Sequence, residues 1–133
     1  MFGIYILTDK DGKPTPDTLS WYADEVVTKA QAIYSMTCKE LYDNGFHVTL
    51  IDYVGQNTYA TSAHEKHGLA RCDRWTMYVV QDDVRSYPYP YVDTCSFDPA
   101  ESWEIAKANH GVTPENVHNY RISDITLKAW WPK

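Results

Sequence analysis

Two short segments of the chain, residues 2–8 and 74–81, are apolar on both sides of a period-two alternation. In the first, Phe2, Ile4 and Ile6 alternate with Tyr5 and Leu7; in the second, Trp75, Met77 and Val79 alternate with Tyr78 and Val80. A strand with one wet face shows apolar residues at every other position only. A strand apolar on both faces must be covered on both sides, so these two segments belong at the centre of a sheet. The rest of the chain has to supply the cover. With 133 residues, 44% of them hydrophobic and 23% charged, it is long enough and apolar enough to do so around one core. It contains no linker, no low-complexity tract and no internal repeat, and it reads as a single α+β domain over residues 1–133.

The first strand ends in the turn Asp9-Lys10-Asp11-Gly12-Lys13-Pro14. Beyond it the spacing predicts one long helix. Thr15 can cap it, Pro16 suits its first position, and Leu19, Tyr22, Val26, Ala30, Ile33, Thr37 and Leu41 form one helical stripe. Asn44-Gly45 ends it, which makes a helix of about 40 Å. Phe46 to Val54 follows as a second strand, with Phe46, Val48 and Leu50 facing one way, and a polar segment from Gly55 to Asp73 leads to the third strand. Tyr91 to Phe97 makes a short edge strand. Asp98-Pro99-Ala100-Glu101 approximates a capping box, so a second helix starts there and stops at Gly111. Tyr120 to Leu127 is the last strand, with a bulge expected near Ser123-Asp124 where its apolar phase changes. The order β-α-β-β-α-β is that of the ferredoxin-like split βαβ fold, an antiparallel sheet with a long and a shorter helix on one face. A small three-layer α/β domain with a partly parallel sheet is the alternative.

The formal charge is −6, from 18 acids and 12 bases. That balance speaks against direct nucleic-acid binding and against an anionic membrane surface, both of which need clustered Lys and Arg. It suits a basic protein partner. No apolar run approaches a membrane span, and the N-terminus lacks the basic region of a signal peptide. Cys38, Cys72 and Cys95 are odd in number and lack CxxC spacing, which points to a reducing, cytoplasmic setting.

Residues 82–104 hold the surplus charge. Asp82, Asp83, Asp93, Asp98, Glu101 and Glu104 face a single base, Arg85, and the same stretch carries Tyr87, Tyr89, Tyr91, Phe97 and Trp103. The Tyr-Pro alternation favours an extended chain with little entropy to lose on binding. Carboxylates beside rings pair with Lys and Arg through charge and cation–π contact. The expectation is a non-catalytic binding protein that engages a basic protein surface through Asp82, Asp83, Tyr87, Tyr89, Tyr91, Asp93, Glu101, Trp103 and Glu104. Small phage- or mobile-element-encoded inhibitors share this size and charge; such a protein can block a nucleic-acid-binding site by presenting acids where phosphates would lie.

Two other constellations offer chemistry. Asp9-Lys10-Asp11-Gly12 after a hydrophobic strand resembles the nucleophile motif of haloacid-dehalogenase-type phosphatases. The resemblance implies Asp9 as nucleophile, Asp11 as general acid/base, a bridging Mg²⁺, and Asp82-Asp83 as the distal metal-binding acids. It covers these residues alone; where the family has Ser or Thr after the second strand, this chain has Asp52-Tyr53. His64, His67 and Cys72 are three potential Zn²⁺ ligands whose spacing matches no recognised finger, and a solvated loop is the plainer expectation. A third role is self-assembly through the sheet or through Trp130-Trp131. No motif calls for a cofactor.

Overall fold

The computed structural model describes residues 2–53, 58–60, 76–83 and 89–126. They form an α+β structure with two small antiparallel sheets, divided into two compact units, one ending at Tyr53 and one ending at Leu127.

In the first unit, β1 (Phe2–Thr8) lies between β2 (Pro14–Ser20) and β3 (His47–Tyr53), antiparallel to both. Ile4 and Ile6 are fully buried on one of its faces and Leu7 on the other, as expected of a strand apolar on both sides. The chain passes from β2 to β3 through α1 (Ala23–Tyr34) and α2 (Cys38–Asp43). Leu7 packs with Val26, Ala30 and Leu41 of these helices, and half-buried Tyr5, Tyr34, Phe46 and Val48 close the cluster.

The single long helix expected from Thr15 to Asn44 is thus corrected to a strand and two helices. Proline explains the first part of the error: Pro14 and Pro16 suit a helix start, but they equally suit a sheet edge, where no ladder donor is lost. The pairing of Leu7 with Thr15 and Tyr5 with Ser20 decides for the strand. The second part lies at Ser35, which adopts a left-handed conformation (φ 55°) and ends α1. Thr37 then opens α2 with a capping box: its hydroxyl accepts from the Glu40 N–H, and the Glu40 carboxylate accepts from the Thr37 N–H. Tyr22 and Ile33, assigned to the apolar stripe, are exposed. The stop at Asn44-Gly45 holds. Gly45 sits at φ 87°, and a Cβ there would stand 2.6 Å from Lys10 Cβ, so both conformation and space demand glycine.

In the second unit the strand order is β4-β7-β5-β6, again antiparallel throughout. Here β4 is Thr58–Ala60, β5 Thr76–Asp82, β6 Tyr89–Pro90 and β7 Tyr120–Thr126. The interior strand β5 is buried from Thr76 to Gln81. After β6 come a 3-10 turn (Val92–Thr94), helix α3 (Pro99–His110) and a second 3-10 turn (Val117–Asn119). Residues 91–97 form this turn and one bridge, Tyr78 to Ser96, rather than the expected edge strand. Helix α3 starts and stops as predicted, with the Asp98 side chain accepting from the Ala100 N–H, Pro99 in the first turn and Gly111 left-handed at the end. The capping box is incomplete, because the Glu101 carboxylate accepts instead from the Ser96 hydroxyl. The core joins Tyr78, Val80, Trp103, Ala106, Val112 and Ile122.

The bulge expected near Ser123-Asp124 is absent: β7 pairs with β5 in unbroken register from Thr126 to Tyr120. Ile122 and Ser123 are both fully buried, so the strand is covered on both faces, and its phase change reflects that cover. The ferredoxin-like arrangement needs β1 and β5 in one sheet; they lie in two. Nor is there parallel pairing among the described residues, where every neighbouring pair of strands is antiparallel.

Candidate functional site

The acidic, aromatic stretch is distributed over the end of β5, β6, the turn after it and α3. A buried threonine shapes its centre. The Thr94 hydroxyl accepts from the Val80 N–H (2.8 Å) and donates to the Tyr91 carbonyl (2.7 Å), which ties the turn to β5. At the far end of α3, the Asn116 amide donates to the Gly111 carbonyl (3.0 Å) and its oxygen accepts from the Thr113 N–H (2.8 Å). These contacts fix the end of the helix that carries Asn109 and His110.

Between these anchors the side chains form one continuous set. The Tyr91 hydroxyl donates to Asp82 Oδ2 at 2.9 Å. The Tyr91 ring stacks on His110, with centroids 4.1 Å apart and planes at 26°. His110 Nε2 is 2.7 Å from Asp93 Oδ1, and Asn109 Nδ2 donates to Asp93 Oδ2 at 3.0 Å. A carboxylate only accepts, so the histidine nitrogen is the donor. Tyr89 meets Tyr91 edge-on at 5.7 Å, and Tyr120 flanks it at 6.2 Å. Asp83 follows Asp82 but turns to other partners, accepting from Gln81 Nε2 (3.1 Å), with Arg121 Nε 3.8 Å away. Side-chain exposure is 25% for His110 and 42% for Asp93, so the set is supported from below and open to solvent.

Not every expected contact residue joins it. Trp103 is 6% exposed and belongs to the core, which corrects its assignment as a surface anchor. Glu101 is engaged with Ser96, and Glu104 pairs with Lys107 at 2.9 Å along the exposed side of α3. Tyr87 and Arg85 lie outside the described residues, as do His64, His67, Cys72, Trp130 and Trp131. Asn109, His110 and Tyr120 join the site although residues 82–104 did not include them. His110 is expected near a helix C-terminus on dipole grounds alone. Only the return of the 92–94 turn beneath the helix end supplies its carboxylate.

Asp9 and Asp11 occupy the hairpin between β1 and β2. Asp9 Oδ1 accepts the N–H groups of Asp11 and Lys13, both at 2.9 Å, so this carboxylate closes a turn. Among the described residues, no group of three or more His, Cys, Asp or Glu side chains is placed to hold a metal ion. Among the same residues, no helix is long and apolar enough to cross a membrane.

An edge-supported ring pair between two carboxylates is suited to a planar cation. A guanidinium brought to the ring pair can stack on it while its donors turn toward the Asp82 and Asp93 carboxylates. No protein-family model matches the chain, and no curated protein or solved structure matches it significantly.

Proposed function

We propose that this chain is a non-catalytic binding protein that takes a basic side chain of a partner protein at the Tyr91–His110 stack. Asp82 and Asp93 act as charge partners, with Tyr89 beside the stack and Asp83 adding to the negative charge. The observation that carries the reading is the stack itself: two rings 4.1 Å apart, with a carboxylate hydrogen-bonded to each. Burial from below holds the rings in place, so little side-chain freedom is lost on binding. An inhibitor that covers a nucleic-acid-binding surface of its partner is one form of this reading, since carboxylates can then stand where phosphates otherwise lie. Hydrolysis at Asp9 and Asp11 is not carried forward, because the Asp9 carboxylate is committed to the hairpin.

The test uses an oligo-arginine peptide as the probe and nuclear magnetic resonance of the whole chain as the readout. Tyr91, Asn109 and His110 resonances are expected to shift on titration. Replacing Asp82 and Asp93 together by Asn should weaken the peptide at least roughly tenfold, as expected for loss of charge-assisted contacts. Glu104→Gln, on the outer side of α3, should change affinity less than about twofold. Equal losses from both variants, or shifts spread evenly over all acids, would refute a localised site.

A further inference from the structure

We infer that the two units are copies of one ββαβ repeat, and that Tyr91, Asn109 and His110 mark where the second copy departs from their common scaffold. The topology comes first. In each unit a central strand pairs on one side with the next strand in sequence, and the chain then crosses by helix to the central strand's other side. This holds for β1, β2, α1 and β3, and again for β5, β6, α3 and β7.

Registers coincide position by position. Ile4 pairs with Ile51 and Met77 with Ile125; Ile6 pairs with Thr49 and Val79 with Ser123; Thr8 pairs with Pro14 and Gln81 with Pro90. Tyr5 meets Ser20 as Tyr78 meets Ser96. Helices α1 and α3 both have 12 residues, and each is followed by a left-handed residue, Ser35 and Gly111. Burial follows the same order. Residues 15–20 and 91–96 share one sequence of exposure classes, and Val26 and Ala30 are buried as Ser102 and Ala106 are.

The same alignment matches side chains. Asp17-Thr18-Leu19-Ser20-Trp21 corresponds to Asp93-Thr94-Cys95-Ser96-Phe97, and Glu25 and Ala30 to Glu101 and Ala106. One matched residue performs an identical task. The Thr18 hydroxyl accepts from the Leu7 N–H at 2.9 Å and donates to the Thr15 carbonyl at 2.7 Å; Thr94 does this for Val80 and Tyr91 at 2.8 and 2.7 Å. Both threonines are fully buried, so each satisfies a strand N–H that the irregular hairpin leaves without a carbonyl. Two unrelated sheets have no reason to share this clasp along with strand order, register and helix length. The repeat is hidden in the sequence because the matched residues are scattered and the second hairpin is longer than the first.

The repeat provides an internal control for the site. Where the second unit stacks Tyr91 on His110, the first has Thr15 hydrogen-bonded to the Tyr34 hydroxyl at 2.9 Å. Where Asn109 meets Asp93, the first has exposed Ile33. The scaffold therefore closes with Thr15 and Tyr34 in place of the ring stack and with Ile33 in place of Asn109, so the fold does not require the second unit's set. This last step deepens the binding reading and rests on it; the duplication does not.

Stability and binding measurements on the full chain separate the two. Thr18→Val and Thr94→Val should each lower the unfolding midpoint by roughly 5–10 °C. Each should speed amide exchange at its own client, Leu7 or Val80. Thr18→Ser and Thr94→Ser keep the hydroxyl and should recover most of the loss. Replacing Tyr91→Thr and His110→Tyr together installs the first unit's pair; it should cost less of the midpoint than Thr94→Val while weakening oligo-arginine at least roughly tenfold. A Thr94→Val variant as stable as the parent while Thr18→Val is not, or serine variants that fail to recover, overturns the shared clasp. A double exchange that unfolds the chain overturns the claim that the scaffold does not need the stack. Loss of oligo-arginine binding in the parent itself would defeat the binding reading and leave the duplication standing.

Discussion

At the scale of single residues, the two units differ most tellingly where one lacks a partner that the other has. Thr49 Oγ1 meets Thr8 Oγ1 at 2.9 Å. Ser123 holds the corresponding place in β7, but in the place of Thr8 stands Gln81, whose amide donates to Asp83. Ser123 Oγ is consequently buried without a hydrogen-bond partner among the described residues. An unsatisfied buried hydroxyl costs free energy, and its removal without a change of shape should return some of it. Ser123→Ala is expected to stabilise the chain by about 1 kcal/mol; a denaturant midpoint that falls would show that the hydroxyl contributes to the fold. Asp9 and Asp93 teach the opposite lesson about reading residue type as chemistry. Each follows or precedes a strand in a pattern that invites a functional role, yet Asp9 closes a turn while Asp93 holds a histidine. Nothing in the residues beside them in sequence distinguishes the two.

At the scale of elements, the ends of α1 and α3 can be compared directly. Both are left-handed, at φ 55° for Ser35 and 67° for Gly111. Glycine reaches that conformation without the Cβ clash that serine incurs. Ser35→Gly is therefore expected to stabilise the first unit by about 1 kcal/mol, read as a rise in thermal midpoint. A neutral or negative result would mean that the side chain of Ser35 offsets its own strain. The same comparison explains which elements were legible from sequence. Helix α3 was, because Asp98, Pro99 and Gly111 are local signals that act over one turn of chain. Strand β2 was not, because Pro14, Thr15 and Pro16 satisfy the start of a helix as well as the edge of a sheet. Helix α2 was hidden inside the long stripe: Leu41 keeps helical phase with Val26 and Ala30 even though the chain breaks at Ser35.

At the scale of the whole molecule, the surplus of acid is less concentrated than the linear sequence suggests. Glu101 and Glu104 are engaged along α3 by Ser96 and Lys107 and Asp83 lies by Arg121, whereas Asp82 and Asp93 hydrogen-bond the Tyr91–His110 stack. Capture of a basic partner should then depend on Asp82 and Asp93, with the charge of Asp83 added to theirs, and on ionic strength. Changing all three to Lys takes the formal charge from −6 to neutrality. Binding of the oligo-arginine probe by this variant should be lost at low salt, while binding by the parent chain should weaken as salt rises. Salt-independent binding by the parent, measured calorimetrically, would mean that charge does not drive the contact.

From its sequence alone this chain determined what depends on neighbours a few residues away. Ile4–Leu7 and Met77–Val80 had to be interior strands because both of their faces repel water, and the helix from Pro99 to the turn at Gly111 had to start and stop where its caps lie. Only the tertiary structure decided that residues 14–20 pair as a strand, that the two interior strands anchor separate sheets, and that Asp93 meets His110. Each of these is set by hydrogen bonds and contacts between segments distant along the chain. Their free energy outweighs local preference, and no local pattern of residues encodes which distant partner will be met.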